Sequence, residues 1–168
     1  VFSIVVSGRS LGPSGAADLI ITEILYDPAS SQPKWEWVEV YNRGAGSVNL
    51  ANFCFGDDDS VLTGANIVAG SIPAGGSAIL FNGDTNTAAG IKVAWGRDVN
   101  AVAVSPWPEL QNSDRIALWE SFTYYYGREF RNAIDVVEYS NASPWPVNDG
   151  KSSIYLTDLG QSLSLIHI

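Results

Sequence analysis

A chain of 168 residues with 46% hydrophobic and 16% charged residues is long enough for one domain, and its core needs neither disulfide nor metal. That composition excludes a disordered chain. A net charge of −9, from 18 acidic and 9 basic residues, repels phosphate backbones and excludes non-specific nucleic-acid binding, and no apolar run reaches the ~20 residues of a membrane-spanning helix.

Residues 1–18 open with VFSIVVSG and a Gly/Ser stretch ending at Ala16 and Ala17. They read either as the end of an export signal cleaved before Asp18 or as a linker, and are set apart from the fold. From Asp18 short apolar runs alternate with turn residues. LIITEILY (19–26) stops at Asp27-Pro28, WEWVEVYN (35–42) at Arg43-Gly44, and SVNLANFCF (47–55) at Gly56-Asp57. SVLTGANIV (60–68) leads to Gly70, and SAILF (77–81) stops at Asn82-Gly83. KVAW, AVAVS, RIALWES, AIDVVEYS and SSIYLTDL follow. These runs have strand length and are rich in Val, Ile and aromatics. No window carries a helical stripe of three turns. Gly83, Gly90 and Gly96 interrupt the Ala-containing stretch and leave at most one turn near 85–89. The end, SLSLIHI, follows no turn logic, holds the only histidine, His167, and reads as non-native, so 159–168 is set apart as a tail.

Several runs alternate with period two: Val38 and Val40 against Trp37, Glu39 and Tyr41; Ile116 and Leu118 against Ala117 and Trp119; Ile154 and Leu156 against Tyr155 and Thr157. One face goes to a core and the other outward, as in antiparallel sheets. The expectation is an all-β antiparallel sandwich of about nine strands over 19–158. Cys54, the single cysteine, sits in NFCF and reads as a small buried hydrophobe. Ser-Pro-Trp-Pro occurs at 105–108 and again at 143–146, each time followed by a polar turn and Ile-x-Leu. Proline cannot donate to a ladder, so these segments belong outside the central sheets, with Trp107 and Trp145 plugging the sandwich end.

ITEILYDP (21–28), WEWVEVYNRGAGSVNLANF (35–53), IPAGGSAILF (72–81), LQNSDRIALWES (110–121) and WPVNDGKSSIYL (145–156) occur in an order that resembles the lamin-tail domain, in its bacterial form. The likeness departs where Ser113 is followed directly by Asp114 without the family's glycine, and where FTYYYGREFR (122–131) enlarges a hairpin. The resemblance implies an immunoglobulin-like sandwich without catalytic residues. Bacterial copies tend to sit in exported proteins beside hydrolases or surface modules, so a secreted or cell-surface setting is expected.

Three groups of residues are candidate sites. Glu23 and Glu39 lie within neighbouring strands, where they either accept backbone N–H groups from a loop, ligate a cation, or act as the carboxylate pair of a weak hydrolase. Asp57, Asp58 and Asp59 form an acidic turn. It either solvates itself or supplies part of a calcium site that Glu23, Asp84 or Asp114 would complete. Phe122, Tyr124, Tyr125, Tyr126, Arg128, Phe130 and Arg131 have hot-spot composition. They form either a protruding binding hairpin or a flap with alternate aromatics buried. The expected function is a non-catalytic accessory module that contacts protein, cell-surface polysaccharide or neighbouring domains, with carbohydrate binding by the tyrosines as the alternative. No cofactor is expected other than that calcium.

Overall fold

The alternation at 19–26 and 35–42 becomes two long antiparallel strands, β1 (Leu19–Leu25) and β2 (Trp37–Asn42). The structure, a computed structural model, describes residues 18–29, 33–126, 129–143 and 145–160. Residues 1–17 and 161–168, the greater part of the two ends set apart above, lie outside them. The chain continues through β3 (Val48–Asn49), β4 (Cys54–Gly56), β5 (Ser71–Ile72), β6 (Ser77–Asn82) and a helix, α1 (Ala88–Trp95). Then come β7 (Ala101–Val104), β8 (Ser113–Trp119), a one-turn helix, α2 (Phe122–Tyr125), β9 (Asp135–Ser140) and β10 (Ile154–Tyr155).

A five-stranded sheet runs β10-β1-β2-β6-β7 and a three-stranded sheet runs β4-β8-β9, with β3 and β5 paired beside them. Their inner faces share one core. Ile24, Val38, Val40 and Leu80 from the first meet Phe55, Ile116, Leu118 and Val137 from the second. This is the immunoglobulin-like sandwich expected, with ten strands among the described residues rather than about nine. Asp135 stitches the layers: it is buried, and its Oδ2 accepts the Ile21 N–H at 2.8 Å. A bulge in β1 beside Ile21 takes that N–H out of the ladder to β2.

Four expectations need correction. The run KVAW is helical, not extended, and α1 is two turns long rather than one. Thr87 caps it by accepting Gly90 N–H, which places Gly90 in the first turn, and Gly96 ends it in the left-handed region at φ 63°. The two glycines thus frame the helix instead of breaking it. Second, β7 pairs with β6 in parallel, because α1 carries the chain back across the sheet. Ile91 and Trp95 hold α1 there, Trp95 against Trp37 at 4.9 Å edge-on. Third, 60–68 is not a strand. Its Asn66 side chain instead takes the place of a neighbouring strand for β4, accepting Phe55 N–H at 2.8 Å and donating to Phe55 O at 2.7 Å. Fourth, β8 is buried on both faces. Ile116 and Leu118 enter the main core, while Ala117 and Trp119 enter a second cluster with Cys54, Leu62 and Tyr125. What covers the outer face is Phe122, Tyr125 and Phe130 of the 122–131 insertion.

Candidate functional site

Beside the edge strand β4, the loops 57–62 and 106–111 line an open groove of about 370 Å³. Leu62, Trp107 and Pro108 form its apolar floor and sides, and Asp57, Asp59 and Glu109 line it with charge. Val61 projects at the rim, 74% exposed.

Each wall is held by side chains that arrive from elsewhere in the fold. In the first loop Asp57 turns inward, and its Oδ1 accepts N–H from Asp59 and Ser60 at 3.0 and 2.6 Å and the Ser60 hydroxyl at 2.7 Å. From the insertion, the Tyr125 hydroxyl donates to Ser60 O at 2.7 Å and accepts Leu62 N–H at 3.0 Å. In the second wall Trp107 packs against Phe55 with ring centroids 5.5 Å apart. Asp84 accepts Trp107 N–H at 2.8 Å and also the Ser105 hydroxyl. Glu36 accepts both the Trp107 indole N–H and Leu110 N–H through one oxygen, at 2.8 and 3.0 Å. Asn66 donates to Pro106 O at 3.0 Å and so ties this wall to β4.

The electrostatics around the groove are one-sided. Burial pushes the Glu36 carboxyl up to about 7, and Glu109 and Asp27 add to the rise, against the lowering effect of its two hydrogen bonds. Asp114, which accepts Gln111 N–H, is pushed up to about 6 by burial and by the negative charge of Asp57 and Asp58. Among the described residues that line the groove none is Lys or Arg. The nearby cation Arg115 pairs with Asp58 at 2.8 Å and lies over the Phe130 ring at 4.2 Å. Cys54 is buried outside the groove, and its thiol is pushed up to about 11 by burial, so it stays protonated and unreactive.

The candidates from sequence are distributed differently. Glu23 and Glu39 are opposed across β1 and β2, on one face as expected. Their donors are hydroxyls rather than loop N–H groups: Thr22 and Ser77 reach Glu39 at 2.7 and 3.0 Å, and Ser153 reaches Glu23. Of the acidic turn, Asp57 caps its own loop, Asp58 pairs with Arg115, and Asp59 is exposed on the groove. Among the described residues no three His, Cys, Asp or Glu side chains are grouped so as to hold a metal ion.

The aromatic insertion is not a protruding hairpin. It folds back as α2 and a 3-10 turn (Phe130–Asn132), because Trp119 offers it an apolar seat. Tyr125 stands edge-on to Trp119 at 5.2 Å and is 3% exposed; Phe122 and Phe130 are half-buried beside it. Tyr124 and Tyr126 remain on the surface, Arg131 is paired with Glu129, and Arg128 lies outside the described residues.

Sequence reasoning missed Glu36 and Asn66 and did not join Trp107 to a groove. A signal for Glu36 exists. It shares the parity of Val38 and Val40, so period two alone puts it inside, where a carboxylate needs donors. Trp107 is buried as expected, and a buried indole N–H seeks an acceptor. Trp145 is only partly buried against the core.

Fold and site together describe an immunoglobulin-like module with a groove between two of its loops. The chain belongs to the lamin tail domain family, whose model matches residues 13–161. That family is immunoglobulin-like, non-enzymatic and generally serves interaction. A search of curated proteins finds no match.

Proposed function

We propose that the chain is a non-catalytic interaction module of an exported or cell-surface bacterial protein, and that it meets its partner at the 57–62/106–111 groove. The observation that carries this reading is the anchoring of both walls by buried side chains, Tyr125 on one and Glu36 on the other. A groove held this way loses little conformational freedom on binding, so more of the contact energy appears as affinity. Its volume falls in the range of ligand-binding clefts. The bacterial, exported setting is what the motifs between 21 and 156 imply.

The test screens the chain against displayed random peptides, a glycan array and a panel of glycoside and ester substrates. Peptide binding that Val61→Ser weakens at least tenfold is the expected result. Turnover that Glu23→Gln and Glu39→Gln both abolish would replace the module with a hydrolase.

A second reading, sugar binding, draws on Tyr126, 74% exposed, with Tyr124 beside it on the same turn. Glycan signal lost in the Tyr124→Ala/Tyr126→Ala double variant would favour it over the groove.

A further inference from the structure

We infer that the occupant of the groove is an extended segment of a partner protein that carries Lys or Arg next to apolar residues. The inference rests on the groove being the binding surface and adds the chemistry of what it takes.

Charge complementarity carries it. The groove presents the exposed carboxylates of Asp59 and Glu109, with Asp57 buried in its first wall, and none of its described lining residues is Lys or Arg. Arg115, the basic side chain close by, is paired with Asp58. A cation entering here meets a focused negative potential, whereas an acidic segment or a phosphate is repelled. The apolar half of the recognition comes from Val61, Leu62 and Pro108. Exposing Val61 to 74% beside a tryptophan floor leaves apolar surface that a bare amine would not cover. A segment with a basic side chain and apolar neighbours matches both halves, and the open groove between two loops admits it in extended form.

The test selects a displayed random 12-residue peptide library on the 168-residue chain at physiological salt. Amide NMR then maps the binding site of the selected peptides. Lys- or Arg-containing peptides with apolar neighbours are expected, shifting Val61, Leu62, Gln111 and the Trp107 indole. Their affinity should fall at least tenfold in the Asp59→Lys/Glu109→Lys double variant and fall again as salt rises. Both substituted positions are exposed, so an unchanged melting temperature shows that the variant folds. Neutral or acidic peptides that shift the same residues would overturn the inference and leave the groove as a binding surface. No selected peptide, or one that shifts residues elsewhere, would overturn both. Spermidine or acetyl-lysine amide binding as tightly as the peptides would show that a free amine, not a protein segment, is what the groove accepts, and would also overturn the inference.

Discussion

The indole N–H of Trp107 ends on Oε2 of Glu36, 2.8 Å away, although 71 residues separate the two in the chain. The same oxygen takes Leu110 N–H, so one buried carboxyl holds both the floor and the end of the second groove wall. Glu36→Ala would leave two buried donors without a partner. At roughly 1–3 kcal/mol for each such group, a loss of about 2–6 kcal/mol is expected. Glu36→Gln keeps an oxygen in place and should lose no more than about 1 kcal/mol. Urea unfolding at pH 6 measures both. Equal losses in the two variants would mean that the donors find other partners.

Stability should fall as pH rises from about 4 to about 7. Glu36, normally near 4.5, is raised to about 7, and Asp114, normally near 3.8, to about 6. The folded chain therefore binds these protons more tightly than the unfolded chain. Their stabilising effect is complete at low pH and is lost through that window. For Glu36 the difference amounts to about 3 kcal/mol. Asp149 acts in the other sense, but its carboxyl is lowered by Ser152 and Lys151, so its contribution fades only below its usual 3.8. Unfolding midpoints at pH 5 should exceed those at pH 8, and Glu36→Gln should flatten the slope above pH 6. A midpoint that climbs from pH 5 to pH 8 would contradict the burial of Glu36.

Asn66 is the link between β4 and the second wall. Asn66→Ala removes the acceptor of Phe55 N–H and the donor to Phe55 O and Pro106 O, all within the interior or at its margin. A loss of about 2–4 kcal/mol is expected, since buried backbone groups are left unpaired. Hydrogen exchange should quicken at Phe55. Unchanged exchange there would show that Asn66 is not the edge strand's partner.

Tyr125→Phe isolates the insertion's grip on the first wall. The ring keeps its seat against Trp119, while the hydroxyl's bonds to Ser60 and Leu62 vanish. A loss of about 1–2 kcal/mol is expected, with faster exchange at Leu62 and weaker peptide binding. Binding that survives unchanged would show that the loop holds its shape without the tyrosine.

Much of the sandwich could be read from the residues alone. Strand parity placed Val38, Val40, Ile116 and Leu118 inside because alternation is a local property of an extended backbone. The five ordered motifs pointed to the family for a related reason: each encodes its own strand and turn. Parity carries the same signal for Glu36, which the sequence reading passed over, and only the arrival of Trp107 and Leu110 explains why a carboxylate is tolerated there.

Alternation says which side chains share a face, but not what will cover that face. Only the tertiary structure decided that α1 would lie across β6 and β7 and make them parallel, and that Tyr125 would turn inward onto Trp119. The groove depends on the same kind of contact. Its walls are far apart in the chain, and their shape comes from bonds between Asn66 and Pro106, Tyr125 and Leu62, and Glu36 and Leu110. Such bonds depend on distances in space, which no local pattern of residues specifies.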